Sequence, residues 1–513
     1  MDSSASTSTA VPETDPQIEH IIGIPDEIQP ALHDLCCIYK VPLNLRKLNE
    51  GEAYEPILIS IGPFHHNKKP ELEPMHKQKQ RYFKAFLRRV TNEGALAYRA
   101  FLSKNFDTIK HMYSEPTSLS KDEFVNMMLL DSVFIMELFL RKSNISEQQN
   151  DHIFTTPWIC KSIQRDLLLL ENQLPFYLLE DLYEIVMDLL DSQQSVDEQN
   201  KLSFLELAFK YFEDYYPHTS TPDKQNIVNN FSSCNHFTDL VRRFYLPEQV
   251  NTQDFIPCST KQCVLKTATK LNEAGVSFEK VRHKSLLDIK LQKIPCCSWF
   301  LCLGCVPCFT CVKTRFQIPQ LRVLQTTECV LRNLIALEQC HYPDQPFMCN
   351  YVSLIDSLIH STEDVELLVD KGIIEHELGS HTELATMING LCKHVEVNGN
   401  NYGNITSKLN DHYNSNWKHY MGVLRSVYFR DPWRITSTLV GVVIFLFAIF
   451  TFLHITGKLL NPLREMMYEK PLVTPTVLGV SGDGFAQEGA ALAPATAPVM
   501  TGFAGGGNGG SRR

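Results

Sequence analysis

The stretch Ser437–Gly457, STLVGVVIFLFAIFTFLHITG, runs without one Asp, Glu, Lys or Arg. At roughly 1.5 Å per residue, a helix of this length crosses a hydrocarbon core of about 30 Å. A core helix of a soluble domain normally keeps one polar stripe, and this stretch has none. Trp433 and Arg434 before the run and Lys458 after it are the aromatic and cationic flanks that settle at a lipid–water interface. The expectation is one transmembrane helix, 437–457, which divides the chain into a large N-terminal body and a short C-terminal remainder.

The 513 residues are 44% hydrophobic and 21% charged, enough to bury one large core or two moderate ones. The net charge of −10 is spread along the chain. That argues against nucleic acid as a partner, because phosphate affinity needs a cationic surface. A lipid bilayer and another protein, unidentified by the sequence, are the expected partners. The opening MDSSASTSTAVPETDP has no Lys, Arg or apolar run, so it reads as a disordered lead (1–30) rather than a secretory or transit peptide. Residues 458–513 turn, from Pro471, into a Gly, Ala, Pro and Thr mixture that cannot build a core, and are expected to be a flexible tail.

Orientation rests on little. Lys418, Arg425, Arg430 and Arg434 precede the span, and Lys458, Arg464 and Lys470 follow it, so the cationic balance does not choose a side. The lead favours a body in the cytosol, anchored by a single pass in the plasma membrane or an endomembrane. The sequons at Asn144, Asn230 and Asn404 test that orientation.

The body, 31–435, has helical periodicity. Glu123–Arg141 and Asp166–Leu190 are apolar over most of their circumference and belong in the centre of a helical core, the second broken at Pro175. Ser361 with Asp364, and Ser380 with Glu383, are helix-start pairs; Gly372 and Gly390 close the two runs. Strand-like alternation is sparse. The fold class is mainly α: a large helical body, one C-terminal transmembrane helix and a disordered tail.

Catalytic patterns are missing. HELGSH (His376–His381) spaces its histidines five apart with Gly379 between them, whereas a zinc-protease helix needs four, so loop chemistry is expected. His65, His66 and His76 fall in a turn-rich block and are read as structural. Asp131, Glu137, Asp166 and Glu171 sit in apolar segments, where each must meet a cation, a donor or a metal; Arg141, Arg165 and Arg332 are the available cations. HKQKQRYFKAFLRR places Lys77, Arg81, Lys84 and Arg88 on one helical face, with Tyr82, Phe83, Phe86, Leu87 and Val90 on the other. This is a solvated face over a core contact, with an anionic-lipid or acidic-partner contact as the alternative. The expectation is no enzyme, no catalytic residue, no metal and no cofactor.

One block resists that reading. CCSWFLCLGCVPCFTC holds Cys296, Cys297, Cys302, Cys305, Cys308 and Cys311 among aromatic and aliphatic residues, between Lys290, Lys293, Lys313 and Arg315. The two-residue spacing of the last four approaches an iron–sulfur run, but a zinc ribbon needs two separated pairs, completed here by Cys296 and Cys297 or by remote Cys258 and Cys263. Disulfides are disfavoured in a cytosolic body. A short apolar hairpin at a bilayer surface, carrying S-acylated cysteines within an insertion at 294–312, fits the uncharged surroundings best. A buried loop and a metal cluster remain open.

The blocks CIYKVPLNLRKLNEGEAYEPILISIGPFHHNKKPELEP, DLLLLENQLPFYLLEDLY, SLLDIK, TTECVLRNLIALEQC, DVELLVDKGII and YFRDPWRITS, in this order before an apolar span, resemble the plant family known as domain of unknown function 247. The likeness covers roughly residues 35–455. It implies a plant protein with a helical body and one C-terminal membrane helix, in a family mostly without assigned biochemistry. The function expected is a membrane-anchored recognition or scaffold protein; the alternative is a metal- or redox-dependent protein centred on Cys296–Cys311.

Overall fold

Every residue from Asp131 to Phe139 is buried, and the helix that carries them organises the N-terminal half of the body. The computed structural model describes residues 32–47, 52–90, 92–191, 202–217, 222–246, 256–257, 264–282, 285–295, 312–397, 399–415 and 432–468. The lead to residue 31, the cysteines 296–311 with Cys258 and Cys263, and the tail from 469 lie outside these residues.

Of the principal helices, α1 (Glu73–Arg89) and α2 (Asn92–Lys104) pack on α3 (Lys121–Ser143). Ser120 opens α3 with a capping box: its hydroxyl accepts from the Glu123 N–H while the Glu123 carboxylate accepts from the Ser120 N–H. Along α1 the periodicity is realised. Lys77, Arg81, Lys84 and Arg88 are exposed, and Tyr82, Phe86 and Val90 are buried.

The second apolar segment departs from expectation. Helix α4 (Pro157–Asp166) stops where the long helix was expected to begin, residues 167–175 are non-helical, and α5 (Phe176–Asp191) resumes after Pro175. The break is therefore nine residues wide rather than a kink at the proline. Side-chain amides cause it: Gln173 donates to the Leu167 and Leu169 carbonyls, and Asn172 donates to the Asp166 carbonyl. These bonds compete with the helical ladder, and Pro175 could not have continued it. Beyond the break, α6 (Phe204–Phe212) and α7 (Phe237–Tyr245) surround Phe139, whose ring lies 4.6–6.1 Å from those of Phe204, Tyr211, Phe212 and Phe237. Aromatic pairs at such distances add to area burial.

The C-terminal half contains small sheets that the sparse alternation did not announce. Strands β1 (Val276–Val281), β2 (Lys290–Pro295) and β3 (Val312–Pro319) form a sheet in the order β1-β3-β2, with β1 parallel and β2 antiparallel to the central β3. Strand β4 (Leu321–Val323) pairs in parallel with β5 (Ile374–His376). Around them lie α8 (Thr327–His341), α9 (Phe347–Leu358), α10 (Thr362–Asp370), α11 (His381–Leu391) and α12 (Gly403–Asn414). The expected starts are present: Asp364 accepts from the Ser361 N–H, and the Ser380 hydroxyl accepts from the Glu383 N–H. Gly372, just past α10, takes φ +67°, the left-handed conformation that ends a helix.

The chain divides into two units between Ile435 and Thr436. Helix α13 (Pro432–Tyr468) contains one stretch, Leu439–Lys458, long and apolar enough to cross a membrane. It also runs on to Tyr468, so residues 458–468, expected to be tail, are helical.

Candidate functional site

Two buried carboxylates, Asp166 and Asp131, hold the segment Ile57–Gly62, and a third, Glu171, gathers its own partners. Asp166 accepts from three successive backbone N–H groups, Ile57, Leu58 and Ile59, at 2.7–3.1 Å, and pairs with Arg165 at 2.7 Å. Asn172 accepts from the Ile61 N–H and donates to the Ile59 carbonyl. Asp131 accepts from the Gly62 N–H at 2.9 Å and from buried Lys79, which also donates to the Ser60 carbonyl. Glu171 is joined by Arg46, by the Val41 N–H at 2.8 Å and by His65 Nε2 at 3.3 Å. Burial raises the Asp166 pKa, against Arg165 and the three N–H groups. Burial also works to raise that of Glu171, but hydrogen bonds from His65, Arg46 and Val41 win and lower it to about 2.

Ion pairing is thus what the carboxylates do, with two of the three expected cations and with Arg46, Lys79 and Arg89 besides. Arg141 and Arg165 serve Glu137 and Asp166. Arg332 instead pairs with Glu328, one turn away. Arg89 of α1 also reaches Glu137, at 3.2 Å. Lys79, Arg46 and Arg89 went unrecognised because they lie 52, 125 and 48 residues from their carboxylates. The histidines have local roles: His65 joins the Glu171 pair, and His376 meets His381 edge-on across a turn at 5.2 Å.

A different arrangement lies beside β1. Val276, Phe278 and Lys280 share one face of that strand; the first two are buried, and Lys280 reaches a cleft of about 480 Å³. Leu286, Leu321, Val330 and Leu331 line its apolar part. Tyr215 and Tyr245 add hydroxyls, and burial raises both pKa values, that of Tyr215 to about 12, so both stay protonated donors. Lys161, Arg282 and Arg322 stand around the cleft with Lys280. Lys161 pairs with Asp214 at 2.6 Å, and Arg322 with Glu377 at 3.4 Å. Among the described residues, no carboxylate pairs with Lys280 or Arg282. Thr326 and Thr327 bring the first turn of α8 to the same place, with no side chain capping it.

The candidate acylation or metal cysteines, Cys296 to Cys311, lie outside the described residues, but their connection is informative. Strands β2 and β3 are paired from Lys290↔Gln317 to Pro295↔Val312, so the block joins the adjacent ends of an antiparallel stem. Among the described residues, no group of three or more His, Cys, Asp and Glu is placed to hold a metal ion. Of the anchor flanks, Trp433 and Lys458 are exposed, as are most apolar side chains between them; the Arg434 backbone is within α13.

Comparison with known proteins supplies the family. The chain is 28% identical over 468 residues to UPF0481 protein At3g47200 of Arabidopsis thaliana, covering 85% of this chain and 89% of that protein. It is 23% identical over 515 residues to the putative UPF0481 protein At3g02645 of the same plant, covering 80% and 89%. No solved structure matches. A family model described as plant protein of unknown function, DUF247, matches residues 38–447, which takes in the stapled Ile57–Gly62 segment, the cleft and the start of the apolar stretch. The chain belongs to the DUF247 plant family.

Proposed function

We propose that this protein is a membrane-anchored recognition module, in which α13 crosses a bilayer and the helical body binds another protein. The observation that carries the reading is Leu439–Lys458, a helical stretch with no acidic residue whose apolar side chains stand open along its length. Open side chains such as Phe445, Phe447 and Phe450 are costly in water and favoured in hydrocarbon. The buried acids Asp131, Asp166 and Glu338 are each held by a cation, which suits a structural role. The exposed cations of α1 suit an acidic partner. The body faces the cytosol in this reading, and the cysteine loop, closed by the β2–β3 stem, makes a second, acylated membrane contact.

Carbonate extraction tests the anchor. The full chain should stay in the membrane pellet, and a chain ending at Ile435 should be released; equal retention of both would end the single-pass reading. Asn144, Asn230 and Asn404 are exposed, so a luminal body would offer them for glycosylation. A glycosidase-sensitive mass shift, lost on Asn→Gln substitution, would reverse the orientation. Hydroxylamine-sensitive acyl labelling, abolished when the six cysteines are changed to Ser, supports the loop contact. Stoichiometric zinc or iron without acyl label would favour the metal alternative.

A further inference from the structure

We propose that the cleft between β1, β4 and the start of α8 is a binding site for a small organic anion: a flat apolar body with a phosphate or carboxylate head. The volume of about 480 Å³ lies within the range of small-molecule sites, roughly 300–1,000 Å³. It is too confined for a folded partner. Two chemistries meet in it. The buried side takes Leu286, Leu321, Val330 and Leu331 together with the Tyr215 and Tyr245 rings, which suits an apolar or aromatic body. The open side holds Lys280 and Arg282, unpaired among the described residues, and Lys161 and Arg322, each held by one carboxylate.

The sign of the ligand follows from that imbalance. Four cations face one lining carboxylate, Asp214, already committed to Lys161. Lys280 is the telling residue. The alternation Val276, Phe278, Lys280 brings it to the inward face of β1, where an apolar residue would continue the core. Its stem passes Gly372, whose added Cβ would lie 3.5 Å from Lys280 Cδ, and the half-buried residue also lines the cleft. The first turn of α8, a 15-residue helix, adds the positive end of its dipole to the same side. Tyr215 and Tyr245, held protonated by burial, line the same cleft and add neutral donors. Guanidinium, ammonium and hydroxyl groups lining one apolar cleft recognise a bound anionic group better than a neutral one.

Equilibrium dialysis of the full chain in lipid nanodiscs tests this, with 1-naphthyl phosphate and 1-naphthoate as probes and empty nanodiscs as background. 1-Naphthol and inorganic phosphate provide the body and the head alone. The expected result is saturable binding of one probe per chain, tighter than either control, and the better of the two probes identifies the head group. The Lys280→Gln/Arg282→Gln variant should bind roughly tenfold more weakly or worse, with an unchanged far-UV spectrum and melting temperature. If that variant misfolds, Arg282→Gln alone, at an exposed position, decides the point. Equal binding of 1-naphthol would reduce the cleft to an apolar sink. Equal binding of inorganic phosphate would reduce it to a charged surface. Either result overturns the proposal, as does binding that ignores the variants or no binding at all.

Discussion

The Ile57–Gly62 segment and the cleft beside β1 both concentrate charge, and they treat it in opposite ways. Around the segment, Asp131 and Asp166 each meet a cation and backbone N–H groups out of water, as Glu171 does with Arg46 and the Val41 N–H. In the cleft, Lys280 and Arg282 face solvent without a carboxylate among the described residues. A buried charge is tolerated only with its partners, so removing one partner exposes the cost of the other. A solvent-facing charge is nearly neutral to stability. Stability therefore accounts for the first group and leaves the second to be explained by what it contacts.

The largest break of that contrast is Asp131→Ala, which strands the buried Lys79 ammonium and the Gly62 N–H. It should cost about 3–5 kcal/mol in chemical denaturation. Lys79→Met/Asp131→Leu should recover most of this, short of the ~1–3 kcal/mol for the orphaned N–H. A loss under about 1 kcal/mol in the single variant would mean that Lys79 finds water. Gly62→Ala comes next. Gly62 has φ +71°, and its added Cβ would lie 2.6 Å from the Gln173 carbonyl oxygen, so a cost of at least ~1–3 kcal/mol and a lower Tm are expected.

Acid should act on the neighbouring cluster of Val41, Arg46 and His65 through Glu171. Its pKa falls from the usual 4.5 to about 2 on folding, so its contribution is complete above 4.5 and is lost as pH falls from there to about 2. In Glu171→Gln the corresponding limb of the stability–pH curve should flatten. Glu180 has the opposite sign. Burial, then repulsion from Glu184 and Asp181, raises its pKa to about 7, so stability declines as pH rises from 4.5 through 7. Glu180→Gln should therefore raise Tm at pH 8 and leave it nearly unchanged at pH 4. The smallest stability effect belongs to the cleft: Lys280→Gln/Arg282→Gln should stay within about 0.5 kcal/mol of the parent, and a larger loss would make those cations structural after all.

What the sequence disclosed follows the distance over which each feature is written. The apolar stretch, the two faces of α1 and the starts at Ser361 and Ser380 are encoded within one or a few turns, and periodicity finds them. Glu137–Arg141 and Arg165–Asp166 are similarly local. The pairing of Lys79 with Asp131, and of Arg46 with Glu171, joins helices and loops far apart in the chain, and no spacing records it. Residues 167–175 misled for another reason: their apolar run suits a helix, while the amides of Asn172 and Gln173 bind the backbone instead. The cleft assembles from Lys161, Asp214–Pro217, the end of β1 and the stretch Gln320–Leu331, and its one legible sign was the lysine that ends the Val276, Phe278 alternation.

The stem formed by β2 and β3 carries a practical consequence for anyone engineering the chain. Six paired positions, ending at Pro295↔Val312, hold the two exits of the intervening segment side by side whatever that segment contains. Doubling the length of a closed loop adds only about 0.6 kcal/mol of closure entropy. An epitope tag inserted between these strands is therefore predicted to leave the body folded, checked by an unchanged melting temperature, and antibody access to it in intact versus permeabilised cells would then report which side of the bilayer it occupies.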